Sequence, residues 1–156
     1  MSLQQWREFG WLEPHTTSNK QISDLLAIVD RDLRVAKATD DIDWIFGIAY
    51  NAALKLCTIL LYASGYRAAR SQHHNRTLAT LPLILGAERG TDAAYLDQCR
   101  MKRNTLEYDQ VGVVSASEAK ELLEFVEGLR TDALEWLKKE RPELTVAVER
   151  SGAAAA

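Results

Sequence analysis

Apolar residues recur along this chain at steps of three and four, the period of a helix that buries one face. Ile22, Leu25, Leu26, Val29, Leu33 and Ala36 form the first such stripe, with Asp, Arg and Lys opposite, and predict a helix from Ser18 or Asn19 to Lys37. Thr39-Asp40-Asp41 then supplies a turn and a choice of N-caps, its acids well placed against the dipole of the next helix. That helix is predicted from Ile42 to Ser64, stopping at Gly65 as a left-handed cap. Ile45, Phe46, Ala49, Ala53, Leu56, Leu60 and Ala63 make one of its faces, and Trp44, Ile48, Leu54, Leu61 and Tyr62 make another. A helix apolar nearly all round is a central one, covered by its neighbours or by a second subunit. A short apolar helix follows from Thr77 to Leu85, with Pro82 inside it shortening or bending it. Another opens at Thr91-Asp92 and ends near Asp109, and Ser115 with Glu118 forms a capping box that launches the last. Leu122, Leu123, Phe125, Val126, Leu129, Leu134, Trp136 and Leu137 carry that helix to Arg141, before Pro142. The fold class is therefore all-α: an up-and-down-type helical bundle of four main helices plus one short helix.

The ends of the chain lack such periods. Residues 1–17 hold Trp6, Phe9 and Trp11 with Gly10 and Pro14 as punctuation, and read as an N-terminal arm docked by its aromatics. Residues 18–142 form the bundle domain, and residues 143–156 a flexible C-terminal tail. Val111-Gly112-Val113-Val114 is too brief to require a sheet.

With 156 residues, 47% apolar and 26% charged, the chain has the balance of one globular domain. Its net charge of −3 argues against a protein that coats nucleic acid, yet the charge is unevenly placed. From Trp44 to Ala87 there is no Asp or Glu, while Lys55, Arg67, Arg70 and Arg76 are present. Arg67, Arg70, His73, His74 and Arg76 crowd into ten residues, a local positive field able to attract phosphate or nucleic acid, or else a solvated loop. Cys57 and Cys99 both fall in helical apolar patterns and read as buried free thiols of a reducing compartment. No basic-then-apolar leader opens the chain, and Asn51 and Lys55 interrupt its most apolar region before the roughly 18 residues of a membrane span. A cytoplasmic protein is expected, with no membrane partner.

Several chemistries are absent from the pattern: a glycine-rich phosphate loop, a paired Cys-x-x-Cys and a His-Glu-x-x-His. His73 and His74 are adjacent, so on a helix they diverge and do not easily share a metal, and neither a metal nor another cofactor is expected. The main functional signal lies elsewhere. Leu96, Cys99, Arg103 and Leu106 recur as one seam, three apolar members and an arginine. A guanidinium cannot be deprotonated, so on a packing seam it must snorkel outward, pair with an acid such as Glu107, or meet an anion. Its planar fork of donors suits a phosphate bidentately. Asn104 and Tyr108 lie one turn apart on the neighbouring face, beside Arg100.

The helix order, the Gly65-Tyr66-Arg67 and His73-His74 loop, and Arg103-Asn104-Thr105-Leu106-Glu107-Tyr108 together resemble the HEPN superfamily over roughly Ser18 to Arg141. The resemblance implies a small all-α domain that forms homodimers. It also implies association with RNA or nucleotides, and in active members metal-independent RNA cleavage of toxin-antitoxin type, with two copies of the motif meeting across the dimer. On this chain Arg103 would hold the scissile phosphate and Asn104 would orient the site. Tyr108 stands where the family motif has His, and a phenol of pKa about 10 makes a poor general base. Tyr108 would then donate a proton or hydrogen bond, with His73 or His74 supplying the base from the loop. The alternative is a catalytically degenerate scaffold whose partner is an antitoxin or nucleotidyltransferase.

Overall fold

The computed structural model describes residues 1–108 and 112–145, apart from the side chains of Glu107 and Tyr108. In chain order the elements are α1 (Leu3–Glu8), β1 (Leu12–Pro14), α2 (Asn19–Ala38), α3 (Ile42–Ala63), β2 (Tyr66–Ala68), α4 (His73–Ala79), α5 (Leu81–Leu85), a 3-10 turn (Ala87–Arg89), α6 (Gly90–Tyr108) and α7 (Ala116–Glu140). The fold is mostly helical and rests on the four long helices that the apolar periods predict, α2, α3, α6 and α7.

α3 is the centre because its sequence leaves it no polar side broad enough to face water. Ala49, Ala52 and Ala53 are completely buried, and these short side chains let the neighbouring helices approach closely. α2 and α7 pack along it, and α4 and α6 cover part of its remaining surface. α2 contributes Ile22, Leu26, Val29, Leu33 and Ala36, all buried, and each large aliphatic side chain so removed from water is worth about 1.5–3 kcal/mol. α2 and α7 meet each other mainly through charge. The Arg130 Nε and Nη2 donate to the two Asp30 carboxylate oxygens at 2.7 and 3.2 Å, and Lys37 lies 3.3 Å from Glu127. Asp41 caps α3 by accepting from the Trp44 amide at 3.0 Å, and Gly65 follows its end at φ +94°. By length and composition α3 would also pass as a membrane span, but 67% of that stretch is buried within the protein, as a core helix requires.

The amino-terminal arm is more ordered than its sequence suggests. Ser2 and Gln5 exchange the reciprocal bonds of a capping box, which starts α1. Trp11 then packs edge-on against Trp6 at 5.3 Å and against Phe9 at 4.9 Å. β1 pairs antiparallel with β2, setting Leu12 against Ala68, Glu13 against Arg67 and Pro14 against Tyr66. This small sheet pins the arm to the segment after α3, a use of the aromatics and of Pro14 that no helical period could reveal.

Two other expectations change. In place of one short helix from Thr77 to Leu85 there are two, α4 beginning at His73 and α5 at Leu81, so the fold has three short helices with α1. Pro82 sits in the first turn of α5 and has no amide hydrogen for the preceding turn; the chain breaks at Thr80, whose hydroxyl donates to the Thr77 carbonyl at 2.6 Å. At the other end the packed body extends past Glu143: Leu144 and Thr145 are buried, and Arg141 donates from its guanidinium to the Ala63 carbonyl at the end of α3. The rest of the expected tail, residues 146–156, lies outside the described residues.

Candidate functional site

α6 meets α3 along the seam of Leu96, Cys99, Arg103 and Leu106. Leu96 is completely buried and Cys99 nearly so, while Arg103 and Leu106 are half-buried, so the seam opens toward solvent at its carboxyl end. Arg103 leaves the core at that opening. Its guanidinium lies over the ring of Tyr50, 5.5 Å from the centroid, and borders a cavity of about 330 Å³ shared with Trp44, Gly47, Ile48, Asn51 and Leu106. Asp41 and Asp43, at the amino end of α3, also line it. Both carboxylates are engaged: Asp41 caps the helix and Asp43 accepts from the Gly112 amide at 3.2 Å.

Tyr50 gives the guanidinium an aromatic floor. It is completely buried, and its hydroxyl has no hydrogen-bond partner among the described residues. Burial pushes its pKa up to about 12, against the pull of Arg103 and Arg100, so the phenol is neutral at any physiological pH. A neutral ring face under a guanidinium attracts it by about 0.5–2 kcal/mol and fixes where the fork points.

A second cavity, of about 280 Å³, lies next along the same face of α3 and is bordered by Lys55, Thr58, Tyr62, Arg67, His73 and His74. Asn51 of the first cavity and Lys55 of the second are one turn apart, about 6 Å of helix rise. α4 packs on both α3 and α6, which brings the histidines into the neighbourhood of Arg103. The effect registers on His74: burial, then His73, Arg103, Lys55 and Arg100, hold its pKa below the ordinary 6.5. At neutral pH its imidazole is therefore uncharged and carries an available lone pair. The two cavities share no lining residue but follow one another along the same side of α3, a grooved face with Arg103 on its first part and Lys55 and Arg67 on its second.

Not every expected residue joins that groove. Asn104 is half-buried but does not line the Arg103 cavity, because one residue of helix turns it about 100° away. Tyr108 ends α6, and its side chain lies outside the described residues, as does that of Glu107. Arg100 donates to Asp97 at 2.9 Å on its own helix. Arg67 borders the second cavity while donating to Glu13 at 2.9 Å, and Arg76 turns the other way, over the Trp11 ring at 4.6 Å. Arg70 is exposed. The expected basic loop is thus shared between the groove and the amino-terminal arm.

His73 and His74 do not diverge. They stand in the first turn of α4, where no earlier turn crowds the side chains, and their rings meet edge to face at 4.1 Å. Among the described residues no group of three or more His, Cys, Asp or Glu gathers to hold a metal ion. Sequence reasoning missed Trp44, Tyr50 and Asn51 as members of the site. Trp44, assigned above to a covered face of α3, is 59% exposed. Its covering was inferred from residue type alone, whereas Gly47 and Asn51 on the same stripe were a readable sign that this face is not core. Compared with known proteins, the chain matches no family model, no curated protein and no solved structure.

Proposed function

We propose that this chain is a HEPN-like, homodimeric protein that holds RNA or nucleotide phosphates in the groove along α3. The observation that carries the reading is the position of Arg103: a guanidinium aimed by the Tyr50 ring, bordering a cavity, with Lys55 and the paired histidines one helical turn further on. A single phosphate would meet a planar donor fork there, at the end of the cavity away from Asp41 and Asp43, with Lys55 and Arg67 bordering the next cavity. In the sharper form of the reading the protein cleaves RNA without metal. The neutral imidazole of His74 takes the proton of a ribose 2′-hydroxyl, the 2′-oxygen attacks phosphorus, and the 5′-oxygen leaves with a proton from water while Arg103 neutralises the pentacoordinate charge.

The test is RNA binding and cleavage in chelator by wild-type protein, Arg103→Ala, His74→Ala and Tyr108→Phe. The reading expects Arg103→Ala to weaken binding at least tenfold, and His74→Ala to lower cleavage more than binding. Equal affinity of wild type and Arg103→Ala removes the phosphate site, and intact RNA after prolonged incubation removes the nuclease form alone. A second reading has its own observation: Trp44 and Met101 are 59% and 50% exposed, apolar surface that an antitoxin or nucleotidyltransferase partner would cover. That scaffold is favoured if wild-type protein binds no RNA but copurifies in a fixed ratio with the product of a neighbouring reading frame.

A further inference from the structure

We infer that the cavity beside Arg103 is a nucleobase subsite: Trp44 is the stacking platform, Asn51 reads the base edge, and Arg103 holds the attached phosphate. The inference rests on the reading above, that Arg103 binds phosphate, and adds what the rest of the cavity is for.

Three observations carry it. Trp44 keeps 59% of its surface exposed and borders the same cavity as the guanidinium. An indole is the side chain best suited to lie against a flat ring, and base stacking on aromatics needs no particular base. Gly47, one turn along α3, is the second observation. Glycine is a poor residue for a helix interior, yet a Cβ built at Gly47 would meet no atom within 4 Å. Its helical backbone needs no positive φ, and among the described residues no packing demands its lack of a side chain. What the glycine does is leave the cavity floor open between Trp44 and Asn51, so that a planar group can lie against the helix.

Asn51 is the third. It is a half-buried amide in a helix that is otherwise almost wholly apolar, and it borders the cavity two turns beyond Trp44. An amide both donates and accepts, which matches the edge of a base better than it matches a phosphate. The charges then fix the ligand's direction. Asp41 and Asp43 repel an anion from the amino end of α3, so the phosphate goes to Arg103, and amino groups on the base meet the carboxylates. The volume of about 330 Å³ is at the small end of the about 300–1,000 Å³ usual for ligand sites, enough for one nucleotide.

Fluorescence anisotropy with two labelled strands tests this: a short oligoadenylate and an abasic strand of equal length and equal phosphate count. The readout is the ratio of the two affinities, for wild type, Trp44→Ala, Trp44→Phe, Gly47→Leu and Arg103→Ala. Wild-type protein is expected to prefer the base-bearing strand by about 5- to 140-fold, the value of one stacked base. Trp44→Ala and Gly47→Leu should bring the ratio close to one, Trp44→Phe should keep most of it, and Arg103→Ala should weaken both strands. A melting temperature for Gly47→Leu no lower than wild type shows that its effect is not unfolding. Equal binding of both strands by wild type, or an undiminished ratio in Trp44→Ala, overturns the subsite and leaves the phosphate reading standing. Binding of neither strand overturns both. A change of sedimentation coefficient in Trp44→Ala and Gly47→Leu with the ratio intact also overturns it, making this face a contact between copies.

Discussion

Replacing Tyr50 by Phe should make the protein more stable. The hydroxyl is completely buried and has no partner among the described residues, so folding strips it of water without return. Leaving such a group unsatisfied costs about 1–3 kcal/mol, and Tyr50→Phe deletes the group while keeping the ring beneath Arg103. For a domain of this size each kcal/mol moves the melting temperature by about 2–4 °C or slightly more. The gain should depend on pH with a definite sign. Burial raises the Tyr50 pKa from 10.0 to about 12, so above pH 10 the unfolded chain ionises first and the folded phenol holds its proton. The stability tied to that proton is complete below pH 10 and is lost as pH rises to 12, on the order of 3 kcal/mol. Urea titrations of both proteins, followed by tryptophan emission, should therefore show a gap of about 1–3 kcal/mol near neutrality that widens in alkali. Tyr95, also shifted upward, is common to both proteins and cancels in the difference. A Tyr50→Phe protein less stable than wild type at pH 7 would refute the reasoning, because the hydroxyl would then be making a bond worth more than its desolvation.

The other predictions concern the frame and the groove. Asp30→Ala removes both acceptors of Arg130 across α2 and α7, where the two side chains are only 15% and 28% exposed, and should cost about 1–3 kcal/mol in a urea titration. Full stability in that variant would mean that apolar contacts alone hold α2 and α7 in register. Burial pushes Cys57 to about 12 and Cys99 to about 11, so a disulfide reagent at pH 8 should label native protein far more slowly than protein in denaturant; equal rates would place a thiol at the surface. His74, held below the ordinary 6.5 first by burial and then by its cationic neighbours, supports the fold above pH 6.5 and ceases to as pH falls, because the unfolded chain takes up the proton first. Melting temperatures measured from about pH 7 down to about pH 5 should fall less steeply for His74→Gln than for wild type, and parallel curves would count against the packed, cation-ringed imidazole.

How much of this could be read from the residues depended on how far apart the interacting positions are. The stripe Ile22, Leu25, Leu26, Val29, Leu33 and Ala36 is a local repeat, and every member is buried except Leu25, which is half-buried at its edge. Ser115 with Glu118 is likewise local, and the capping box forms with both bonds at 3.1 Å. α1 carries the same signature in Ser2 and Gln5, but six residues are too few for a period to support it. The pairing of β1 with β2 joins positions more than fifty residues apart with three residues on each side, and nothing in either segment announces the other.

The site was half legible for a related reason. A seam with one arginine among apolar residues says that a cation stands where packing ends, and Arg103 does stand there. It does not say which residues of the opposite helix the cation faces. Tyr50 looks like core from its place on α3 and is core; only the approach of α6 makes its ring a floor for a guanidinium. Trp44 looks like core from its type and is not: it stays 59% exposed although Arg103 and Leu106 of α6 border the same cavity. Periodicity assigns a face to a helix, and the length of the neighbours decides whether the face is covered. α3 is apolar further round than the helices packed on it cover, and the open arc, from Trp44 through Gly47 to Asn51, is the arc that borders Arg103. An arc kept open by a helix-disfavouring glycine and ended by an amide is better explained by something that binds there than by a flaw in the packing.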